Sequence, residues 1–201
     1  MREALLEPWL RHLRIRRVLP SIRRYPDCHL LDIGCGWEAR LLRTVEPYIG
    51  RGVGLDVKAP PIATPRITTH RLALLTELPL ASASFDIVTM LATLEHLAHP
   101  AEMVAETFRV LRPGGRVLIT VPSRAAQPVL EFLAYRLGLI SAAEIRDHKQ
   151  YFDRESLQTL FSAAGFSIER QHYFQFGMNN FLLARKPPAK TWAGHQEAPA
   201  P

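Results

Sequence analysis

The 201 residues are 47% hydrophobic with a formal charge of +6, enough apolar material for one core beneath two covered sheet faces but too little chain for a second full domain. Two cysteines, Cys28 and Cys35, match no metal or redox spacing, so unpaired thiols in a reducing compartment are expected; no apolar stretch reaches the roughly 18 residues of a membrane span. Residues 1–24 hold seven arginines against two glutamates, +5 of the total, and the nearly neutral body lacks the basic surface of a nucleic-acid binder, so no nucleic-acid partner is expected.

In chain order, residues 1–24 form a basic segment whose Leu6, Trp9 or Leu10, Leu13 and Val18 give an imperfect helical stripe, with Pro8 suited to the first turn and Pro20 expected to stop the helix. Its arginines read either as a solvated helix face or as a docking surface for an acidic ligand or a peripheral membrane contact. Arginine also interrupts the N-terminus too often for a signal peptide, so the expected location is cytoplasmic. The domain proper is expected over 25–186, with 187–201 as a Pro- and Ala-rich disordered tail.

Leu30-Leu31-Asp32-Ile33-Gly34-Cys35-Gly36 is an apolar run ending in an acid and a glycine turn, and amphipathic sequence from Ala39 to about Glu46 follows it. That order predicts strand, tight loop and helix, the place in a parallel sheet where backbone approaches a ligand. Gly52 to Val57 predicts a second strand; its Asp56 stands 20 residues beyond Gly36, the spacing at which doubly wound folds place a carboxylate for ribose hydroxyls. A third strand lies within Ile67 to Leu75, a fourth spans Phe85 to Met90, a helix starts near Ala101, Arg112 to Gly115 stops it, and Arg116 to Val121 is a fifth strand. Alternating strands and helices predict a parallel sheet. Residues 122–151 break the rhythm with a helical piece over Val129 to Leu139 and a polar piece ending in Asp147-His148-Lys149, which reads as a lid over the ligand end. Asp153 is a helix N-cap, Gly165 the stop of that helix, and Phe166 to Arg170 and Asn180 to Arg185 are two closing strands.

Gly34-Cys35-Gly36-Trp37-Glu38-Ala39 satisfies G-x-G-x-x-A, a weak dinucleotide signal. Asp32 argues against NAD: a carboxylate beside a pyrophosphate in a partly dry site costs on the order of 4 kcal/mol at an effective dielectric of about 20. S-adenosylmethionine carries an ammonium and a sulfonium, and an acid suits both.

With Gly54-Leu55-Asp56, Leu78-Pro79, Ser84-Phe85-Asp86-Ile87-Val88, Leu94-Glu95-His96-Leu97 and Arg109 to Gly115 in the same order, the chain resembles the class I S-adenosylmethionine-dependent methyltransferases, in particular the small-molecule group that includes the ubiquinone and menaquinone biosynthetic enzymes. The resemblance implies an α/β, Rossmann-like fold with a mostly parallel seven-stranded sheet, an antiparallel C-terminal strand and helices on both faces. It implies S-adenosylmethionine as cofactor: the backbone of Gly34, Cys35 and Gly36 would hold the methionyl part, Asp32 would face its ammonium, Asp56 with Val57 would meet the ribose, and Met90 and Leu91 would border the methionine chain. The sequence departs from the family in two places. Glu38 stands where a third glycine is frequent, and residues 70–75 lack the acid that often reads the adenine amino group.

Methyl transfer from a sulfonium needs mainly alignment and desolvation, plus a base when the acceptor must lose a proton. His96 is the first candidate base; its alternative is a helix-start histidine bound to a carbonyl. His148, which resembles a histidine some relatives carry before their last helix, is the second, against a solvated loop histidine. Some quinone-pathway relatives have a Glu-Met-Leu-Glu-His segment associated with a divalent metal; here it reads Ala92-Thr93-Leu94-Glu95-His96, and although Glu95, His96 and His99 offer ligands, the site is read as metal-free. The expected activity is methyl transfer to a small molecule, most naturally at a hydroxyl. The alternatives are a glycan or lipid-linked acceptor and a cofactor-binding protein without transfer activity.

Overall fold

The computed structural model describes residues 4–73 and 76–189. The elements in chain order are α1 (Glu7–Ile22), β1 (His29–Ile33), α2 (Arg40–Val45), β2 (Arg51–Asp56), β3 (Ile67–Arg71), β4 (Phe85–Leu91), α3 (Pro100–Val110), β5 (Leu111–Pro122), α4 (Gln127–Tyr135), α5 (Ala142–Asp147), α6 (Arg154–Ala163), β6 (Ser167–Phe174) and β7 (Asn179–Arg185). The strands form one seven-stranded sheet in the order β3-β2-β1-β4-β5-β7-β6. Strands β1 to β5 pair in parallel, while β7 runs antiparallel to both β5 and β6. The order reverses beside β1, so the β1 and β4 carboxyl ends flank the crevice where open α/β sheets bind ligands.

Side-chain alternation divides the central strands between two cores. Leu30, Ile87 and Leu118 face a core closed by α1 and α2 through Ile15, Val18, Ile22, Leu41 and Leu42. Their neighbours Leu31, Val88 and Ile119 face the other core with Met103 and Val104 of α3 and Leu157 and Phe161 of α6. A third, smaller cluster joins α1 to the lid: Leu6 and Leu10 pack with Leu130 and Leu133 on Ala134, Ile140 and Ile145.

The structure corrects several expectations. The inward stripe of α1 is Ile15, Val18 and Ile22, while Trp9 is exposed, because the N-terminal half of the helix turns toward the lid rather than the sheet. Pro20 lies in the last turn and the helix ends two residues beyond it. Arg112 to Gly115 does not separate helix from strand. β5 already begins at Leu111 and carries a bulge there, with Leu111 opposite Phe85 but Arg116 opposite Ile87, and Gly114 supplies the positive φ of +84°. The lid has two helices, divided near Gly138 at φ +62°. β3 ends at Arg71; Leu74 and Leu75 lie outside the described residues, as do tail residues 190–201. The Asp153 cap is present as a capping box with Ser156, and Gly165 follows α6 at φ +93°.

Three arginines of residues 1–24 make contacts within the chain. Arg11 binds Glu38 at 3.0 Å, Arg17 lies over the Phe181 ring at 5.4 Å, and Arg23 stacks on Tyr48 while donating to its hydroxyl at 2.6 Å. Arg2 lies outside the described residues.

Candidate functional site

A cavity of about 360 Å³ opens at the carboxyl ends of β1, β2 and β4, lined on one side by Asp32, Gly34, Cys35, Gly36, Asp56, Val57 and Lys58 and by Leu91, Ala92 and Thr93. The turn after β1 is fixed by backbone bonds: the Gly34 and Cys35 N–H groups donate to Leu55 O at 2.7 and 3.2 Å, and Gly36 N–H donates to Asp56 Oδ2 at 2.9 Å. Gly34, at φ +78°, lies so close to Thr93 that a Cβ would stand 2.1 Å from its Oγ1. Gly36, at φ +69°, has nothing within 4 Å of where its Cβ would be, so the turn keeps an open cradle at the cavity wall. Asp56 accepts at its other oxygen from Lys58 N–H at 2.7 Å, which fixes the carboxylate and leaves each oxygen a further lone pair.

Asp32 is 2% exposed and opposite Thr89 in the sheet, whose hydroxyl donates to its Oδ1 at 2.7 Å. Burial pushes the carboxyl up to about 7, the Thr89 bond opposes this, and the Asp56 charge adds to it. A carboxyl held there suits a cationic ligand that restores its charge. The Cys35 thiol is buried and pushed far above its ordinary value by burial, then by Asp32 and Asp56, so it lines the site without being a nucleophile. Met90 requires a correction: β4 alternation turns it, fully buried, into the core, and Ala92 and Thr93 stand at the cavity beside Leu91 instead.

Glu38 does not crowd the cavity. Arg40 and Arg11 bind its carboxylate, Arg43 Nε donates to its carbonyl at 3.0 Å, and these bonds, Arg40 first, hold its carboxyl below the usual range. The residue ties the glycine turn to α1.

The other side of the cavity comes from outside the sheet: Glu7, Arg11, Arg14 and Ile15 of α1, Glu144 and Asp147 of α5, and His96 and Leu97 after β4. Asp147 Oδ2 lies 3.1 Å from His96 Nδ1, which directs Nε2 away as the basic nitrogen. His148 does not line the cavity. Its ring packs edge-on against His96 at 4.8 Å and its Nδ1 meets the Tyr151 hydroxyl at 3.0 Å. Burial, then the neighbouring His96 and Arg14, push it down to about 4. The structure thus separates the two candidate bases, leaving His96 at the cavity and His148 behind it.

Among the described residues, Glu95, His96 and His148 offer ligand atoms that all lie within 4.8 Å of one another. Glu95 is fully buried, neither carboxylate oxygen has a partner, and burial pushes its carboxyl up. His99 is not part of the group; it pairs with Glu102 at 3.5 Å on the surface. The sequence places a lid over the ligand end and offers the α1 arginines as a docking surface, but it singles out none of Glu7, Arg14, Glu144 and Asp147 as a cavity residue. Glu7, Arg11 and Arg14 do share one helix face by spacing, but nothing in the chain before folding says that this face meets the cavity.

The chain matches the family model of a methyltransferase domain over residues 9–171. It is similar to a probable S-adenosylmethionine-dependent methyltransferase of Mycolicibacterium smegmatis, 33% identical over 70% of this chain and 52% of that protein, so it spans about half of that relative's length. It is also similar to the demethylmenaquinone methyltransferase of Lactiplantibacillus plantarum, 26% identical over 83% of this chain and 81% of that protein. In fold it is similar to an S-adenosylmethionine-dependent methyltransferase of Mesorhizobium loti, with a TM-score of 0.64 at 17% identity over 84% of this chain and 97% of that one. The open glycine cradle, the fixed Asp56 and the charge-poised Asp32 fit the cofactor these proteins name, and the chain belongs to the S-adenosylmethionine-dependent methyltransferase family.

Proposed function

We propose that the chain methylates a hydroxyl of a small molecule, with Asp32, Gly34, Cys35 and Gly36 holding the methionyl half of S-adenosylmethionine, Asp56 and Val57 its ribose, and Leu91, Ala92 and Thr93 bordering the methionine chain. The observation that carries this reading is a single cavity lined both by the glycine turn and by His96, whose other ring nitrogen is engaged by Asp147. The cofactor supplies an electrophilic methyl group. The protein's part is to exclude water beneath α1 and the lid, to align the acceptor oxygen, and to receive its proton at His96 Nε2. Relatives named as a demethylmenaquinone methyltransferase and a ubiquinone biosynthesis O-methyltransferase support a small-molecule acceptor. The two unpaired, buried thiols suit a cytoplasmic setting, and among the described residues no helix is long and apolar enough to cross a membrane.

The test is His96→Asn, assayed with methyl-labelled cofactor on an acceptor found by screening small hydroxylated compounds. Turnover is expected to fall roughly 10²- to 10⁴-fold while S-adenosylhomocysteine affinity stays unchanged. Unchanged turnover would remove His96 from the chemistry.

A second reading rests on Glu95, whose buried, unpartnered carboxylate stands beside His96 and His148 as a divalent cation would require. Manganese titration followed by electron paramagnetic resonance separates the two. Stoichiometric binding lost in Glu95→Gln supports a metal-assisted acceptor site, and no binding leaves His96 as a free base.

A further inference from the structure

The acceptor half of the cavity is built by segments that the parallel sheet does not supply. Leu6 N–H donates to Leu139 O at 3.1 Å and Ser141 N–H to Glu7 Oε1 at 3.4 Å, so α1 and the lid are fastened to each other beside their shared apolar cluster. On this side the cavity is lined mainly by polar residues, Glu7, Arg14, His96, Glu144 and Asp147, beside the apolar Ile15 and Leu97, with Arg11 already engaged by Glu38. Glu7 is buried, Arg14 Nε is buried without a partner, and Glu144 and Asp147 are exposed at the rim.

This lining selects among acceptor chemistries. An apolar ring or isoprenoid tail would displace water from carboxylates and a guanidinium without replacing its hydrogen bonds. An anion would face three carboxylates, and a cation, though drawn to them, brings no lone pair for the buried, unpartnered Arg14 Nε. A neutral polyol avoids both conflicts, because each hydroxyl donates to a carboxylate and accepts from a guanidinium. We propose, building on the hydroxyl-methylation reading above, that the acceptor is a neutral, polyhydroxylated small molecule of the saccharide class, seated between α1 and α5 with Glu7 and Glu144 accepting from its hydroxyls and Arg14 donating to them. The reacting oxygen's lone pair forms the new O–CH₃ bond, the methyl–sulfur bond breaks with its electrons left on sulfur, and the hydroxyl proton passes to His96 Nε2.

The experiment is calorimetric titration of the full chain saturated with S-adenosylhomocysteine, using a panel of methyl glycopyranosides and 2-methylhydroquinone as the apolar comparator. A pyranoside is expected to bind, with a Kd raised at least tenfold in Glu144→Gln while S-adenosylhomocysteine affinity is unaltered. Binding of the hydroquinone alone, or of no compound in the panel to a protein that binds S-adenosylhomocysteine, overturns the saccharide assignment and leaves the cofactor site standing. Failure to bind S-adenosylhomocysteine itself overturns the cofactor reading and the proposal with it.

Discussion

Replacing Asp32 with asparagine should strengthen the fold and weaken the site, and the two effects have different pH dependence. The carboxyl rises from 3.8 to about 7 because it is 2% exposed and its local support is a single hydroxyl at 2.7 Å. That shift corresponds to about 4 kcal/mol of differential stability. The folded state holds this proton more tightly than the unfolded chain, so Asp32 lowers stability progressively as pH rises from about 4 to about 7, and its cost is constant above that. Asparagine keeps an acceptor for Thr89 and pays none of this. The Asp32→Asn protein should therefore gain on the wild type between pH 4 and pH 8 by up to about 4 kcal/mol, read as the change in their stability difference by urea denaturation at the two pH values. Losing an ionised partner for the ligand ammonium should cost about 1.5–3 kcal/mol, or roughly 10- to 100-fold in S-adenosylhomocysteine affinity at pH 8. A variant whose stability difference from wild type is the same at both pH values and whose ligand affinity is unchanged would refute the account of Asp32 as a buried, ligand-facing acid.

The two cofactor glycines should fail in different ways. Gly34→Ala drives a Cβ into Thr93 and should lower the melting temperature sharply; Gly36→Ala meets open space, should cost about 1–2 kcal/mol for its φ, and should act mainly on ligand affinity. Equal melting temperatures in the two variants would contradict the packing of Thr93 against the turn. His148 titrates in the opposite sense to Asp32. Its folded value of about 4 lies below the ordinary 6.5, so its contribution to stability is full above 6.5 and is lost as pH falls toward 4, on the order of 1–3 kcal/mol given its partial exposure. His148→Asn should flatten the acid limb of a melting-temperature profile between pH 4.5 and 7, and an unaltered limb would show that the ring is not held neutral beneath the lid.

The glycine-turn half of the site was legible because it is local. Asp32 and the two glycines are fixed by one strand and one turn, and Asp56 by the next strand, so spacing along the chain is spacing in space. Met90 stands outside the cavity lining within that same region because β4 alternation, not proximity in sequence, decides which neighbour reaches the cavity. The bulge over Arg112 to Gly115 was hidden because proline and glycines signal a turn equally well inside a strand and at its start. The two departures from the family pattern also have different outcomes. Glu38 is drawn away by Arg11 and Arg40, a pairing 27 residues apart in the first case, whereas the missing acid of residues 70–75 has no substitute among Leu72 and Ala73, which lie outside the cavity lining.

By itself the sequence determined the parallel sheet, the glycine turn, the acids at the ends of β1 and β2 and the capped helix after the lid, since each follows from periodicity, capping or turn chemistry over a few neighbouring residues. Only the tertiary structure decided the side of the cavity built by α1 and α5. Docking of α1 on the lid through Leu6, Leu10 and Ile145 brings Glu7 and Arg14 to face Glu144 across more than a hundred residues of chain, and the same closure sets Asp147 on His96 and packs the half-buried His148 against the His96 ring. Such contacts depend on which apolar faces meet when the chain closes, and hydrophobic burial carries no directional code that a sequence pattern can display.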